Sequence, residues 1–136
     1  MHPGFRRVLG GLAGLAGLAV ALGVIFAVEA VNGTIYPLPQ GTIVSSRESM
    51  RAALATLPAM ALVIVLVGWL IAAVAGAYVA TKVAGKVPGP AWVLGGLLLA
   101  VTILNLMSVP HPVWFWFPAV LVWPPGIAAG VKLALR

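Results

Sequence analysis

The chain has 136 residues, of which 62% are hydrophobic and only 7% carry a charge. Soluble domains carry about 25% charged residues, so a water-soluble fold is excluded and the lipid bilayer becomes the first partner. The formal net charge is +6 and there is no cysteine, which removes disulfides, thiol chemistry and cysteine-built metal sites. The basic residues stand at the ends of apolar runs, where they orient a membrane protein and do not form a nucleic-acid surface.

Residues 1–7 are short and basic, and residues 8–28 form an unbroken apolar run. A secretory signal has an apolar core of about 7–15 residues. This run is longer, so we read an uncleaved first span over 7–31. Within it Gly10 and Gly14, and Ala13, Gly17 and Ala21, recur at four-residue spacing, giving a smooth surface for helix packing. Residues 32–45 read as an outer loop through Asn32-Gly33, Pro37 and Pro39. Ser45 stands three residues before Glu48, a capping-box spacing that starts the next helix near Ser46.

The second span is read over 52–81, a stretch without a single charged residue and longer than the roughly 20 residues needed to cross a bilayer. Gly68, Ala72, Gly76 and Ala80 form a ridge of small residues, each four apart, which lets a second helix approach closely in lipid. Ala61 falls outside that ridge. Pro58 is expected to kink the helix.

A link over 82–90, carrying Lys82, Lys86 and Pro88-Gly89-Pro90, leads to a third span over 91–109. Pro110-His111-Pro112 then turns the chain into a fourth span over 113–135. That span is entered through Trp114-Phe115-Trp116-Phe117 and interrupted by Pro118, Pro124 and Pro125, beyond which Gly126 and Gly130 continue the small-residue spacing. Pro124 and Pro125 lack N–H groups and free the carbonyls of Val120 and Leu121. Trp69 and Trp123 both fall near mid-depth; a Trp69 N–H donated to one of these carbonyls would satisfy both groups, with plain hydrophobic packing as the alternative.

The fold class is therefore an all-α integral membrane protein, a four-transmembrane-helix antiparallel bundle forming one membrane domain over 1–136. Arg6, Arg7, Lys82, Lys86, Lys132 and Arg136 share one side, and Arg47 and Arg51 the other. The positive-inside rule then puts both termini in the cytoplasm, and the Gly-, Ala-, Val- and Leu-rich composition suggests a bacterial inner membrane. Small residues gather in the cytoplasmic half, whereas prolines and bulky residues occupy the outer half. The helices should be close-packed inside and splayed outside, with a groove opening outward between the first, third and fourth spans.

Glu29 lies about 33 Å along a helix from Arg7, at the outer boundary, where an interfacial carboxylate in contact with solvent is the simpler reading. Glu29, Asn105, His111 and Trp114 are nevertheless the candidate ligand-binding residues at the groove mouth, suited to a lipid-like or quinone-like molecule. His2 and His111 are the only histidines and fall on opposite sides, so no metal site is expected, and no cofactor. No grouping of residues identifies a catalytic centre. The leading functional reading is a small non-enzymatic membrane protein, either an accessory subunit of a larger membrane complex or a self-associating homo-oligomer. The alternatives are a binding or transport protein for the lipid- or quinone-like ligand, and an enzyme acting on a lipid or isoprenoid with Glu29 and His111 as acid and base.

Overall fold

The computed structural model describes residues 2–136, which form six helices and no strand. Four helical segments are long and apolar enough to cross a membrane: Pro3–Ile35, Ala59–Val83, Gly89–Ser108 and Val113–Leu135. The first is α1. Ser46 caps the short α2 (Arg47–Thr56), and α3 (Ala59–Val83) and α4 (Gly89–Ser108) follow. The fourth span consists of α5 (Val113–Leu121) and α6 (Trp123–Leu135). All-helical and four-spanning, the fold is the one expected from composition and periodicity.

Of the boundaries that differ from the sequence reading, three carry consequences. First, α1 does not stop at residue 31: it continues through Asn32-Gly33 to Ile35 and closes where Tyr36 N–H bonds the Asn32 carbonyl. The Asn32 side chain is bonded to the Ala61 carbonyl, and this tertiary contact outweighs the turn preference of Asn-Gly. Second, Pro58 ends a helix where a kink was expected. Leu57 is extended (φ −78°, ψ 141°) and so is Pro58 (φ −67°, ψ 153°), because proline drives its predecessor out of the helical region. The second span therefore begins at Ala59, and α2, with Arg47, Glu48 and Arg51, is a separate polar helix. Third, the cap of α2 is Ser46 and not Ser45: its Oγ accepts the Ser49 N–H at 3.2 Å, while Ser49 Oγ accepts the Ile43 N–H at 2.8 Å.

The centre of the bundle is α3, which packs against α1, α4, α5 and α6. Its small-residue ridge faces α1. A Cβ added to Gly76 would stand 2.9 Å from the Gly17 carbonyl oxygen, and one added to Gly68 would stand 2.6 Å from Val28. The α1–α3 pair is antiparallel, tied at its far end by Asn32 Nδ2 donating to the Ala61 carbonyl at 2.9 Å. Ala61 is thus buried in the hairpin, although it lies off the ridge.

A second small-residue face on α3 looks the other way. Ala73 meets Gly126, and Ala77 meets Gly130, where an added Cβ would collide with the Val74 carbonyl oxygen. Both pairs run in the same direction, so the fourth span lies parallel to the second and on the opposite side of it from the first. Across the bundle α4 is antiparallel to α6, with Gly95 against Ile127. Most of the closest approaches, at Gly17, Gly76, Gly95, Gly126 and Gly130, fall in the half nearer the chain termini, whereas that of Gly68 to Val28 lies in the other half. In the other half large side chains stand between the helices: Leu62, Trp69, Leu106 and Phe115 are all buried.

The double proline interrupts hydrogen bonding without turning the chain, since Val122 keeps helical angles (φ −68°, ψ −27°). The indole bonded nearby is not Trp69. Trp123 Nε1 donates to Thr102 Oγ1 at 2.8 Å, and that hydroxyl donates in turn to the Leu98 carbonyl at 2.8 Å. Trp69 packs through its ring, stacked on Trp123 (centroids 5.9 Å apart) and edge-on to Phe115 (5.7 Å).

Candidate functional site

Two features stand out beyond the packed core, one at the end remote from the termini and one along the lipid-facing side of α1.

At the remote end α2 lies over the junction between α4 and α5. The break at Pro58 frees it to do so, and Arg47, Arg51, Leu54 and Ala55, spaced i, i+4, i+7 and i+8, share the one face that it turns to that junction. Arg47 Nη1 donates to the carbonyls of Met107 (2.9 Å) and Ser108 (3.3 Å), which are left open by the end of α4. Beneath α2 is an open cavity of about 510 Å³, lined by Arg47, Arg51, Leu54, Leu106, His111 and Trp116, among others. The His111 ring stacks on Phe115 with centroids 4.8 Å apart, and its Nδ1 lies 3.0 Å from the Val109 carbonyl. A carbonyl can only accept, so Nδ1 carries the proton of that bond and Nε2 is the free ring nitrogen. Burial pushes the His111 pKa below the usual imidazole value, against a smaller opposite effect of the Val109 bond, so the neutral ring prevails at pH 7.

The sequence-derived candidates divide around this cavity. His111 lines it, and Trp114 stands edge-on to Phe115 (centroids 6.0 Å apart), the ring on which His111 stacks. Glu29 is exposed on α1 and Asn105 half-buried on α4; neither lines the cavity, and neither bonds through its side chain to His111 or to the other. The walls come from α2, α4, α5 and the turn between the last two, and α1 takes no part. Arg51 and Trp116 are the additions. A tryptophan at a span entrance was a signal for Trp116; nothing along the chain pointed to Arg51 meeting His111.

The second feature is a groove of about 360 Å³ between α1 and α4, lined by Gly10, Gly11, Gly14, Leu15, Pro90 and Leu97, among others. A Cβ added at Gly11 or Gly14 would meet no atom within 4 Å. α1 is the least enclosed span, with 17% of its most apolar stretch buried against 33–39% for the other three. Only Ala13, Gly17 and Ala21 on α1 are fully buried, all on the side facing α3.

Against known protein families, curated proteins and solved structures, the chain finds no match.

Proposed function

We propose that this integral membrane protein works as a self-associating bundle, two copies joining along the groove between α1 and α4. The supporting observation is the glycine face of α1. Helices in lipid associate through close backbone approach at small residues, because lipid supplies no hydrophobic drive between them. The inward-facing small residues, Gly17 and Ala21, serve that purpose inside the chain. Gly10, Gly11 and Gly14 are arranged in the same manner; an added Cβ at Gly10 would reach only Pro90 of α4, and at Gly11 and Gly14 it would meet nothing. Beside this notch Leu15 and Leu97 stand 63% and 48% exposed, so the chain carries both the holes and the knobs of one contact. Two copies related by an axis along the membrane normal would interdigitate them.

The six basic residues at the terminal end, Arg6, Arg7, Lys82, Lys86, Lys132 and Arg136, support an orientation with both termini in the cytoplasm, in the inner membrane of a bacterial cell.

Association is read by counting subunits in lipid nanodiscs or by native mass spectrometry from a mild detergent. The expected result is a dimer that dissociates on dilution into detergent. Gly14→Ile should make it monomeric without lowering the melting temperature, and Gly23→Ile, on another open part of α1, should leave it dimeric. A monomer in lipid at every protein density would exclude self-association and transfer the groove to a different membrane protein.

A further inference from the structure

The arginines of α2 stand on the wrong side of the molecule. Six basic residues gather at the terminal end, and the positive-inside bias accounts for them. Arg47 and Arg51 lie at the other end, against that bias, and orientation gives no reason for their presence. Arg47 is engaged with the α4 carbonyls. Arg51 has no hydrogen bond and no ion pair among the described residues, and the one acid in α2, Glu48, pairs with neither arginine. Two guanidinium groups therefore share the rim of one cavity with no carboxylate between them.

The cavity is also two-faced. Arg51 and His111 stand at its polar rim, and Leu54, Leu106, Val113 and Trp116 supply apolar wall. It sits where α4 ends and α5 begins, the level at which a lipid passes from headgroup to acyl chain and at which tryptophans gather. A guanidinium is a geometric match for a phosphate, able to offer it two parallel N–H donors. The neutral His111 ring, with Nδ1 committed to Val109, has Nε2 left to accept from a hydroxyl.

We propose that this cavity holds the head of an anionic phospholipid, the phosphate at Arg51 and the first carbons of the acyl chains against Leu54, Leu106 and Trp116. A head combining a phosphodiester with a free hydroxyl, as in phosphatidylglycerol, uses both polar groups. A free phosphate would satisfy Arg51 and leave the apolar wall unused. An acidic protein segment would need further backbone partners, which the cavity rim does not offer.

The test is photo-crosslinking in detergent micelles with phosphatidylglycerol carrying a diazirine near the start of one acyl chain, followed by peptide mapping. Mapping is needed because the basic terminal end will also attract the probe. Labelling is expected within residues 51–55 and 106–116. At those positions it should fall about tenfold in Arg51→Gln and persist in the Arg6→Gln/Arg7→Gln double variant, which should instead lose label at the terminal end. Unchanged melting temperatures will show that each variant is folded. Equal labelling of the remote-end peptides by a diacylglycerol probe without phosphate, or by the phosphatidylglycerol probe in folded Arg51→Gln, overturns the proposal. Displacement of the probe by millimolar glycerol 1-phosphate reassigns the site to a soluble phosphate, and displacement by an acidic peptide to a protein partner; either result overturns the lipid.

Discussion

Replacing Gly76 by alanine adds one carbon at the contact on which α1 and α3 close. That carbon would stand 2.9 Å from the Gly17 carbonyl oxygen, 3.1 Å from Ala21 Cβ and 3.2 Å from Leu94 Cδ2. The first of these is half an ångström inside the 3.4 Å at which ordinary contact begins. Leu94 can change rotamer, but Gly17 O belongs to a helix backbone and cannot move alone. α1 must therefore retreat as a unit, and a gap of about 0.5–1 Å forfeits a quarter to a half of each contact along the seam. Overpacking of this kind costs about 1–3 kcal/mol. Glycine-to-alanine replacement also favours a helix by up to about 1 kcal/mol, so the comparison needs a glycine that gains the same and meets nothing. Gly23, also within a span, has no atom within 4 Å of an added Cβ. In reversible unfolding from mixed detergent micelles Gly76→Ala should be less stable than Gly23→Ala by about 1–3 kcal/mol, and Gly76→Leu should lie at or beyond that limit. If the two alanine variants unfold at the same denaturant fraction, the backbone contact is not what holds α1 to α3.

Two further outcomes follow from the geometry. Thr102→Val keeps the shape of the α4–α6 seam and leaves the buried Trp123 N–H without its acceptor; polar contacts between spans are worth about 0.6–2 kcal/mol, so a loss in that range should appear on unfolding while Ser108→Ala, on the exposed end of α4, shows none. For orientation, cysteines placed at Ser45 and at Lys86 should label with an impermeant maleimide from opposite sides of the cell membrane, Ser45 from outside; Ser46 is unsuitable because it caps α2, and labelling of both from one side would refute the four-span arrangement.

The spans were legible because lipid imposes a coarse requirement: about 20 apolar residues, bounded by charge or proline. The ridge from Gly68 to Ala80 was legible for a similar reason, since four-residue spacing of small side chains is visible along the chain. Its partner was not. In α3 nearly every turn holds an alanine or glycine, and the face formed by Ala73 and Ala77 stands out only once Gly126 and Gly130 are seen against it. Pro58 was visible as a disturbance, but whether a proline bends a helix or ends it depends on the backbone of the residue before it, here Leu57. The remote-end cavity was the least legible part. Its composition depends on where α2 falls after that break, and nothing local to Arg51 indicates that it will meet His111 and Trp116. The two indoles show the same limit. Trp69 and Trp123 were both visible at mid-depth, but which one finds a polar partner depends on Thr102, in a different span.

The parallel placement of the second and fourth spans bears on how the chain is made. A ribosome delivers α1 and α3 first, and these form a complete antiparallel hairpin with the Gly17–Gly76 contact closed. The other face of α3, with Ala73 and Ala77, has nothing against it at that stage, and α4 does not supply the missing surface. It is covered only when Gly126 and Gly130 arrive near the end of synthesis. Between those two moments the nascent protein presents to the membrane a second small-residue surface of the same kind as the one α1 retains when complete. Assembly between copies and completion of the fold thus draw on the same type of contact. A copy that meets a neighbour too early can pair through the face that its own last helix is meant to fill.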